Sequence, residues 1–568
     1  MSTYHGVTEA LRGYRSRRHV LRAGVGFLAG SAAVALACGG ARQESKAPTT
    51  GAAQGATGPA AAATQAPKAG GRLLLHWANT VSNFNPYTDW TQGFILLGEQ
   101  VYDRLISTRP GLDYAKEYVL EAAQSVELPE PTTVVFKLKP GLKFQDRAPV
   151  NGRPVSAEDV VKSQTYMQQN PRALHILFHN VYLQGVQAPD AQTVVFKLKQ
   201  PNAYLFSGTM MSNTSAQCIV PRELLDDLDR AWPVGSGPYQ LAEYEHNVRY
   251  LFKRFPGYRE AARGMPYIDE RQTTIINDPA AQEAAFRSEQ LHIWRGAPAV
   301  ASIIDPLRRD LGARIVVDEW LSLGMWTLAL NGTRPPWNDI RVREAIYRVT
   351  DRQQYLNLLA DGRGTVLPGT LAAGLKDYQL DPKQTEKYWR QDARAAKQLL
   401  DAAGFPYDKE FEMLVIQGPT NQQAGEIFQQ QVSKVGIKVR VVQMPFAEWL
   451  GSRVTPGNWD TWVAGHPSYD TPMIALRQQH TVTYSGHRYS GLKDPEVDKM
   501  IEKSEVTLDR NEHIKLVKDI QIALLEKYTP FIFLFSPMVY QPRYAFIKNY
   551  EVNPATNPMY RIEMWLDR

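Results

Sequence analysis

Cysteine is almost absent: Cys38 and Cys218 are the only two in 568 residues. If Cys38 is committed elsewhere, no intramolecular disulfide can form, even in an oxidising compartment. Cys218 lies in the apolar stretch Ala216-Gln217-Cys218-Ile219-Val220-Pro221, where a buried small hydrophobe is expected rather than a nucleophile. Long apolar runs are also missing. Ala23 to Ala37 spans 15 residues rich in Ala and Gly, short of the roughly 20 that a membrane-spanning helix needs. Net charge is scarce in the bulk of the chain. The total is +6, but residues 1–37 hold five arginines against one glutamate, leaving 59 basic and 57 acidic side chains in residues 38–568. A nearly neutral body gives no electrostatic footprint for nucleic acid, and none is expected as a partner.

What the first residues do contain is an address. Ser16-Arg17-Arg18-His19-Val20-Leu21-Arg22 reads as a twin-arginine export signal, with Arg17 and Arg18 at its heart. The short apolar run behind it ends in small residues, as a cleaved leader does; an ordinary secretory signal with a basic start is the alternative. Ala35-Leu36-Ala37-Cys38 resembles a lipoprotein cleavage site, which predicts a signal peptide over 1–37 and lipidation of Cys38. Gly39 to Gly70 is almost all Ala, Gly, Thr, Pro, Gln and Ser. Such a segment buries too little apolar surface to offset its ordering entropy, so 38–70 is expected to be a lipidated cysteine and flexible linker.

About 500 residues remain, more than one hydrophobic core holds, so two or three domains are expected. No long linker divides them, which predicts that the chain crosses between domains more than once. Leu73 to Trp77 reads as a strand and Leu96 to Ile106 as a helix. Thr133 to Lys139 and Thr193 to Lys199 are the same heptapeptide, TVVFKLK. Its alternation predicts two similar half-buried strands in one small sheet. Ser156-Ala157-Glu158-Asp159 resembles a capping box with Asp for Glu. Asp339 should cap a helix carrying Val342, Ala345, Ile346 and Val349, and Gly404 should end one carrying Ala396 to Ala403. Phe411 to Ile416, a helix through Ile427 to Val435, and Ile437 to Val441 form a strand–helix–strand unit. The fold class is therefore α/β. Late helices are expected over Pro495–Lys503 and Glu512–Lys527, and Phe531 to Phe535 as a buried strand.

Chemistry-bearing motifs are missing. No Cys-x-x-Cys or Gly-x-Ser-x-Gly elbow occurs, and Ser236 precedes a proline that forbids the elbow's helix. His175 and His179 share a helical spacing, but no third ligand accompanies them, so neither a metal nor a cofactor is expected. No enzyme activity is expected. Tryptophans in polar neighbourhoods are the material a ligand cleft is lined with.

Several segments resemble, in order, the extracytoplasmic solute-binding proteins of peptide and nickel ABC importers, the oligopeptide- and dipeptide-binding type (family 5). They are Asn83 to Pro86; Val101-Tyr102-Asp103-Arg104-Leu105; Val135 to Phe144 followed by Pro154 to Val161; Pro233-Val234-Gly235-Ser236-Gly237-Pro238-Tyr239; Pro336 to Ile346 with Thr350-Asp351-Arg352; and Tyr489-Ser490 before Asp494 to Asp498. The resemblance implies a periplasmic-binding-protein-like clamshell of two lobes, with an extra α/β domain inserted in the first. The boundaries expected are lobe I over 71–112, the insertion over 113–207, lobe I again over 208–322, lobe II over 323–529, and a lobe I return over 530–568. It also implies a peptide or small-molecule ligand, an ABC permease as partner, a monomer, and a place at the outer surface of the cell envelope.

The expected ligand contacts are Asn85 and Trp90 from the first lobe, Trp326 and Asn331 near the hinge, and Trp449, His466, Tyr469 and Asp470 from the second. One departure bears on the ligand. Peptide binders of this family pair an acidic residue with the peptide α-amine in a Trp-x-x-Asp-Tyr-like segment. Here that segment is Trp462 to Pro472: His466 holds a Trp-like position, Ser468 or Tyr469 the acidic one, and Asp470 comes one or two residues late. A non-peptide solute such as a sugar or metal chelate is therefore open in the same role. So are an exported cell-envelope enzyme using two carboxylates and a sensory lipoprotein.

Overall fold

The small repeat explains the smallest sheet. Strands Thr133–Leu138 and Thr193–Leu198, the two copies of the heptapeptide, are central neighbours in an antiparallel four-stranded sheet, flanked by Ala123–Glu130 and Leu183–Asp190. Val135 pairs with Val195, and Thr133 and Lys137 pair with Lys197 and Thr193, so the copies are related by a local two-fold axis. Lys197 Nζ donates to Thr133 Oγ1 at 2.7 Å, and Lys137 Nζ donates to Thr193 in the mirrored contact. One face buries Val134, Phe136, Val194 and Phe196. Their alternation with outward lysines is the two-residue period of a one-sided strand.

This computed structural model describes residues 66–568 apart from 79, 82, 89–91, 109–117, 174–177, 209, 213–215, 296–300, 467–468, 482–490, 553 and 555–561. Arg17, Arg18, Cys38, nearly all of the spacer, Trp90, His175 and Tyr489-Ser490 therefore lie outside the described residues. Residues 69–568 form one compact unit. Among the described residues, no helix is long and apolar enough to cross a membrane.

A second sheet orders its strands as Arg72–Trp77, Glu270–Ile275, Arg249–Arg254 and Tyr239–Glu245, with the first pair parallel. It shares a hydrophobic core with the small sheet. The helix predicted from Leu96 is Gln92–Val101, so it starts earlier and stops sooner. At its end the Val101 carbonyl, which has no partner within the helix, accepts the N–H of Gly237 at 2.9 Å. That contact explains the Gly-Ser-Gly of the Pro233–Tyr239 motif: a Cβ on Gly235 would lie 2.0 Å from the Val101 oxygen, and one on Gly237 would lie 2.7 Å from the Gln100 oxygen.

The third sheet has seven strands. Its main order is Ile315–Leu321, Phe531–Tyr544, Met325–Leu330, Thr461–His466, Glu410–Ile416 and Lys438–Met444, with Gly364–Val366 also paired to the long second strand. Helix Pro419–Ser433 connects the parallel pair Glu410–Ile416 and Lys438–Met444, as the strand–helix–strand pattern predicts. Asp339 caps helix Ile340–Val349 through the Arg341 N–H, and Gly404 follows helix Ala393–Ala402 with φ +66°. Ser156 and Asp159 form the capping box of helix Ala157–Gln169. One face of the sheet packs on the helices between Ile340 and Ser433. The other packs on Pro495–Val506 and Arg510–Glu526.

The strand expected over Phe531 to Phe535 runs on to Tyr544, through Pro537 and Pro542. Its first half pairs with Met325–Leu330 and its second with Ile315–Leu321. The start of the expected 530–568 return is thus a strand inside this sheet, and the strand carries the chain from one neighbour to the next.

Candidate functional site

Open α/β sheets present ligands at the carboxyl ends of their parallel strands. In the seven-stranded sheet those ends are Gln417-Gly418, Pro445-Phe446 and His466, and they share one edge because strand Glu410–Ile416 runs parallel to both of its neighbours. Strand Met325–Leu330 runs the other way, so its first residues come to the same edge: Met325 pairs with His466 and Trp326 with Gly465.

Four expected site residues gather there with described side chains. Trp326 is partly exposed and stacks on Phe535, with centroids 6.1 Å apart and an interplanar angle of 11°. Gly465 packs beside its ring; a Cβ there would make ordinary contact with Trp326 Cε2 at 3.8 Å. Trp449 begins a short π-type turn, Trp449–Val454, a geometry often found at functional positions. It is buried edge-on to Trp462 at 5.4 Å and stacks with the exposed ring of Phe446 at 6.0 Å. Among the described residues its indole N–H is buried without a hydrogen-bond partner, as is that of Trp459. Tyr469 is half-buried beside Leu323, whose carbonyl accepts its backbone N–H at 3.5 Å. The backbone of His466 belongs to the same edge.

Asp470 joins this edge to the segment that follows the small sheet. Its side chain is buried, and Oδ2 accepts the backbone N–H of Gly208, which follows the small sheet in the chain. Its other oxygen, Oδ1, is buried without a hydrogen-bond partner among the described residues. Burial raises its pKa to about 6, against the opposing pull of the Gly208 amide. A carboxylate so placed strongly favours a donor or a proton at its open oxygen.

Asn85 and Asn331 lie elsewhere. Asn85 is fully buried; its Nδ2 donates to Asp229 Oδ1 at 2.7 Å and to the Tyr166 hydroxyl at 3.2 Å, and its Oδ1 accepts the Tyr87 N–H. Asn331 follows Leu330 and so lies at the far end of its strand from Trp326. Its Nδ2 donates to the carbonyls of Trp459 at 2.7 Å and Gly457 at 3.2 Å, and its Oδ1 accepts from Thr333. Both side chains tie loops to the body.

Other polar candidates are occupied. His179 is buried, its Nε2 paired with Gln164 Oε1 at 2.8 Å, and burial lowers its pKa to about 4. No group of three or more His, Cys, Asp or Glu side chains able to hold a metal occurs among the described residues. Burial pushes the Cys218 thiol up to about 12, which leaves negligible thiolate near neutrality. Gly208, the partner that fixes Asp470, carried no signal in the sequence; the two are 262 residues apart.

Two α/β lobes, an additional small sheet and a strand-end edge of one lobe meeting the other define a two-lobed binding protein. A sequence model of the bacterial extracellular solute-binding proteins, family 5, matches residues 117–483. The chain belongs to that family. It is 24% identical over 497 residues to the dipeptide-binding protein of Escherichia coli, covering 80% of this chain and 87% of that one. The oligopeptide-binding protein AppA of Bacillus subtilis, solved with a nonapeptide, superposes with a TM-score of 0.71 at 21% identity, covering 89% of this chain and all of that one. AgaA of A. tumefaciens R10, solved with agropinic acid, superposes with the same TM-score at 20% identity, covering 87% and 99%. The relatives are substrate-binding proteins, and this chain is a substrate-binding protein of the peptide-type ABC importers rather than an enzyme.

Proposed function

We propose that this protein is exported, lipidated at Cys38, and captures a peptide or peptide-like solute between its lobes for delivery to an ABC permease. The observation that carries the ligand reading is Asp470, one oxygen held by the opposite lobe and the other open. A ligand N–H donor at Oδ1 would satisfy a buried acceptor that protein leaves unmet, a contact of the charge-assisted kind. Trp326, Trp449, His466 and Tyr469 line the same edge, and Trp90 is proposed to approach from the first lobe. Because the ligand's contacts exist only when the lobes are together, it stabilises that state by its differential affinity.

A non-peptide solute in the same role is favoured by one observation: Asp470, displaced from the family's acidic position, is already bound to the Gly208 amide. Isothermal titration of the full chain with di- and tetrapeptides, N-acetylated versions and sugar–amino acid conjugates separates the two. Binding that requires a free α-amine supports the peptide reading; binding indifferent to acetylation supports the other.

A further inference from the structure

The four-stranded sheet that begins with Arg72–Trp77 has a strand-end edge of its own. Strands Arg72–Trp77 and Glu270–Ile275 are parallel and end together, with Trp77 opposite Ile275. Residues 291–295 extend this sheet on the other side of the first strand. The His292 N–H donates to the Leu74 carbonyl at 2.9 Å, and His76 Nε2 donates to the Arg295 carbonyl at 3.0 Å. Both contacts advance in the same direction along the two segments, so these run parallel and Arg295 ends beside Trp77. On its far side the segment runs antiparallel to the long strand Phe531–Tyr544: Ile293 bridges Arg543, and the Trp294 N–H donates to the Pro542 carbonyl at 2.8 Å. Followed back past Arg295, that strand leads to Phe535, on which Trp326 stacks. Trp77, Ile275 and Arg295 therefore occupy the carboxyl ends of parallel strands, where open α/β sheets receive ligands. They do so on the side where the long strand joins this sheet to the seven-stranded one.

At this edge the Arg295 guanidinium lies over the Trp77 ring, 3.9 Å from its centroid. Trp77 is 5% exposed and Arg295 is half-buried, so the indole fixes one face of the cation while the side chain still reaches solvent. Stacking occupies the face of a guanidinium and none of its N–H groups, which lie in its plane as a fork matched to a carboxylate. The nearby acid, Glu99, is drawn on by Arg104, Arg295 and Arg271, yet its Oε2 accepts no hydrogen bond from any described residue. Burial raises this acid to about 7, so part of it is neutral near pH 7 and it offsets the positive charge of the edge only in part.

We propose that Arg295, held face-on by Trp77, takes a carboxylate of the solute while Asp470 takes its N–H donor. The solute is then an amino-acid derivative with a free carboxylate. This rests on the reading of the protein as a solute binder; peptides and sugar–amino acid conjugates both carry the group, so it applies to either class. The test is isothermal titration of the full chain with di- and tetrapeptides and sugar–amino acid conjugates, each compared with its carboxamide. The carboxamide should bind at least tenfold more weakly than the acid. Arg295→Gln, checked for folding by its melting curve, should lose at least tenfold in affinity for the acid and little for the carboxamide, whereas a merely structural arginine would weaken both alike. Arg295→Lys keeps the charge without the fork and should retain part of the preference. A wild-type protein that binds none of these acids would defeat the solute reading and this assignment with it. Acid and carboxamide bound equally by the wild type, or a folded Arg295→Gln with an unchanged preference, would overturn the assignment alone.

Discussion

Asp470, just beyond strand Thr461–His466 of the seven-stranded sheet, and Gly208, which follows the small sheet in the chain, are joined by a hydrogen bond from the glycine amide to the aspartate carboxylate. The approach is close enough that a side chain on Gly208 has little room. A Cβ there would lie 3.0 Å from Asp470 Oδ2 and 3.2 Å from Thr108 Cγ2. Gly208→Ala should therefore weaken the closed state and lower solute affinity about tenfold, equivalent to about 1.4 kcal/mol. Thermal stability should stay within a few degrees of the parent. Titration calorimetry beside a melting curve checks both; unchanged affinity in a folded variant would remove the Asp470–Gly208 contact from the binding account.

Acidification should favour the folded state through two buried acids. Burial raises Glu99 to about 7 despite the nearby guanidinium groups of Arg104 and Arg295, and Asp470 to about 6. In both cases the folded pKa exceeds the unfolded one. The native protein therefore binds more protons than the unfolded chain between about pH 4 and pH 7, and this contribution grows as pH falls through that window. Asp159 and Glu121 are shifted the other way, burial being outweighed by their arginine partners Arg153 and Arg104, so the whole-protein curve mixes signs. Comparison with Glu99→Gln isolates one term. Wild-type stability relative to this variant should rise by about 1–3 kcal/mol between pH 8 and pH 5. Denaturant melts at the two pH values measure it, and a flat difference would contradict the assignment.

The Gly-Ser-Gly turn should be intolerant of side chains. Gly235 meets the Val101 carbonyl so closely that a Cβ would overlap it at 2.0 Å. Gly235→Ala must displace either the turn or the end of helix Gln92–Val101, at a cost of roughly 3 kcal/mol or more. Gly185, with nothing within 4 Å of its Cβ position, is the control: Gly185→Ala should leave the melting temperature nearly unchanged.

Much of this was legible in the sequence because it is local. Asp339 caps its helix through the next turn, Gly404 supplies a left-handed stop, and the TVVFKLK strands carry their buried face in their own alternation. That the two copies pair with each other was not legible, since register is set between strands rather than within one. Pro537 and Pro542 hid the length of strand Phe531–Tyr544, because a proline normally argues against a central strand; Pro537 falls where the strand changes partner, whereas Pro542 sits within its pairing to Ile315–Leu321. The displaced acid at Asp470 was visible as a spacing anomaly; the amide that holds it was not. Asn85 and Asn331 were plausible cleft residues by type, yet each has its Nδ2 donors taken up by chain distant in sequence, which composition does not reveal.

The leader yields its own test. Arg17→Lys with Arg18→Lys should hold the precursor inside the cell, and Cys38→Ser should release a soluble exported protein. Fractionation with immunoblotting distinguishes the outcomes. Continued export of the double lysine variant would point to the general secretory route and leave the binding account untouched.

The central claim, solute capture between the lobes with Asp470 at the contact, is tested most directly by native mass spectrometry of the full chain purified from its own host. The account predicts a small bound molecule of peptide or peptide-like composition, released on unfolding and lost in Asp470→Ala. Protein that carries no ligand, and takes up none from peptide and sugar–amino acid mixtures while remaining folded, would contradict it.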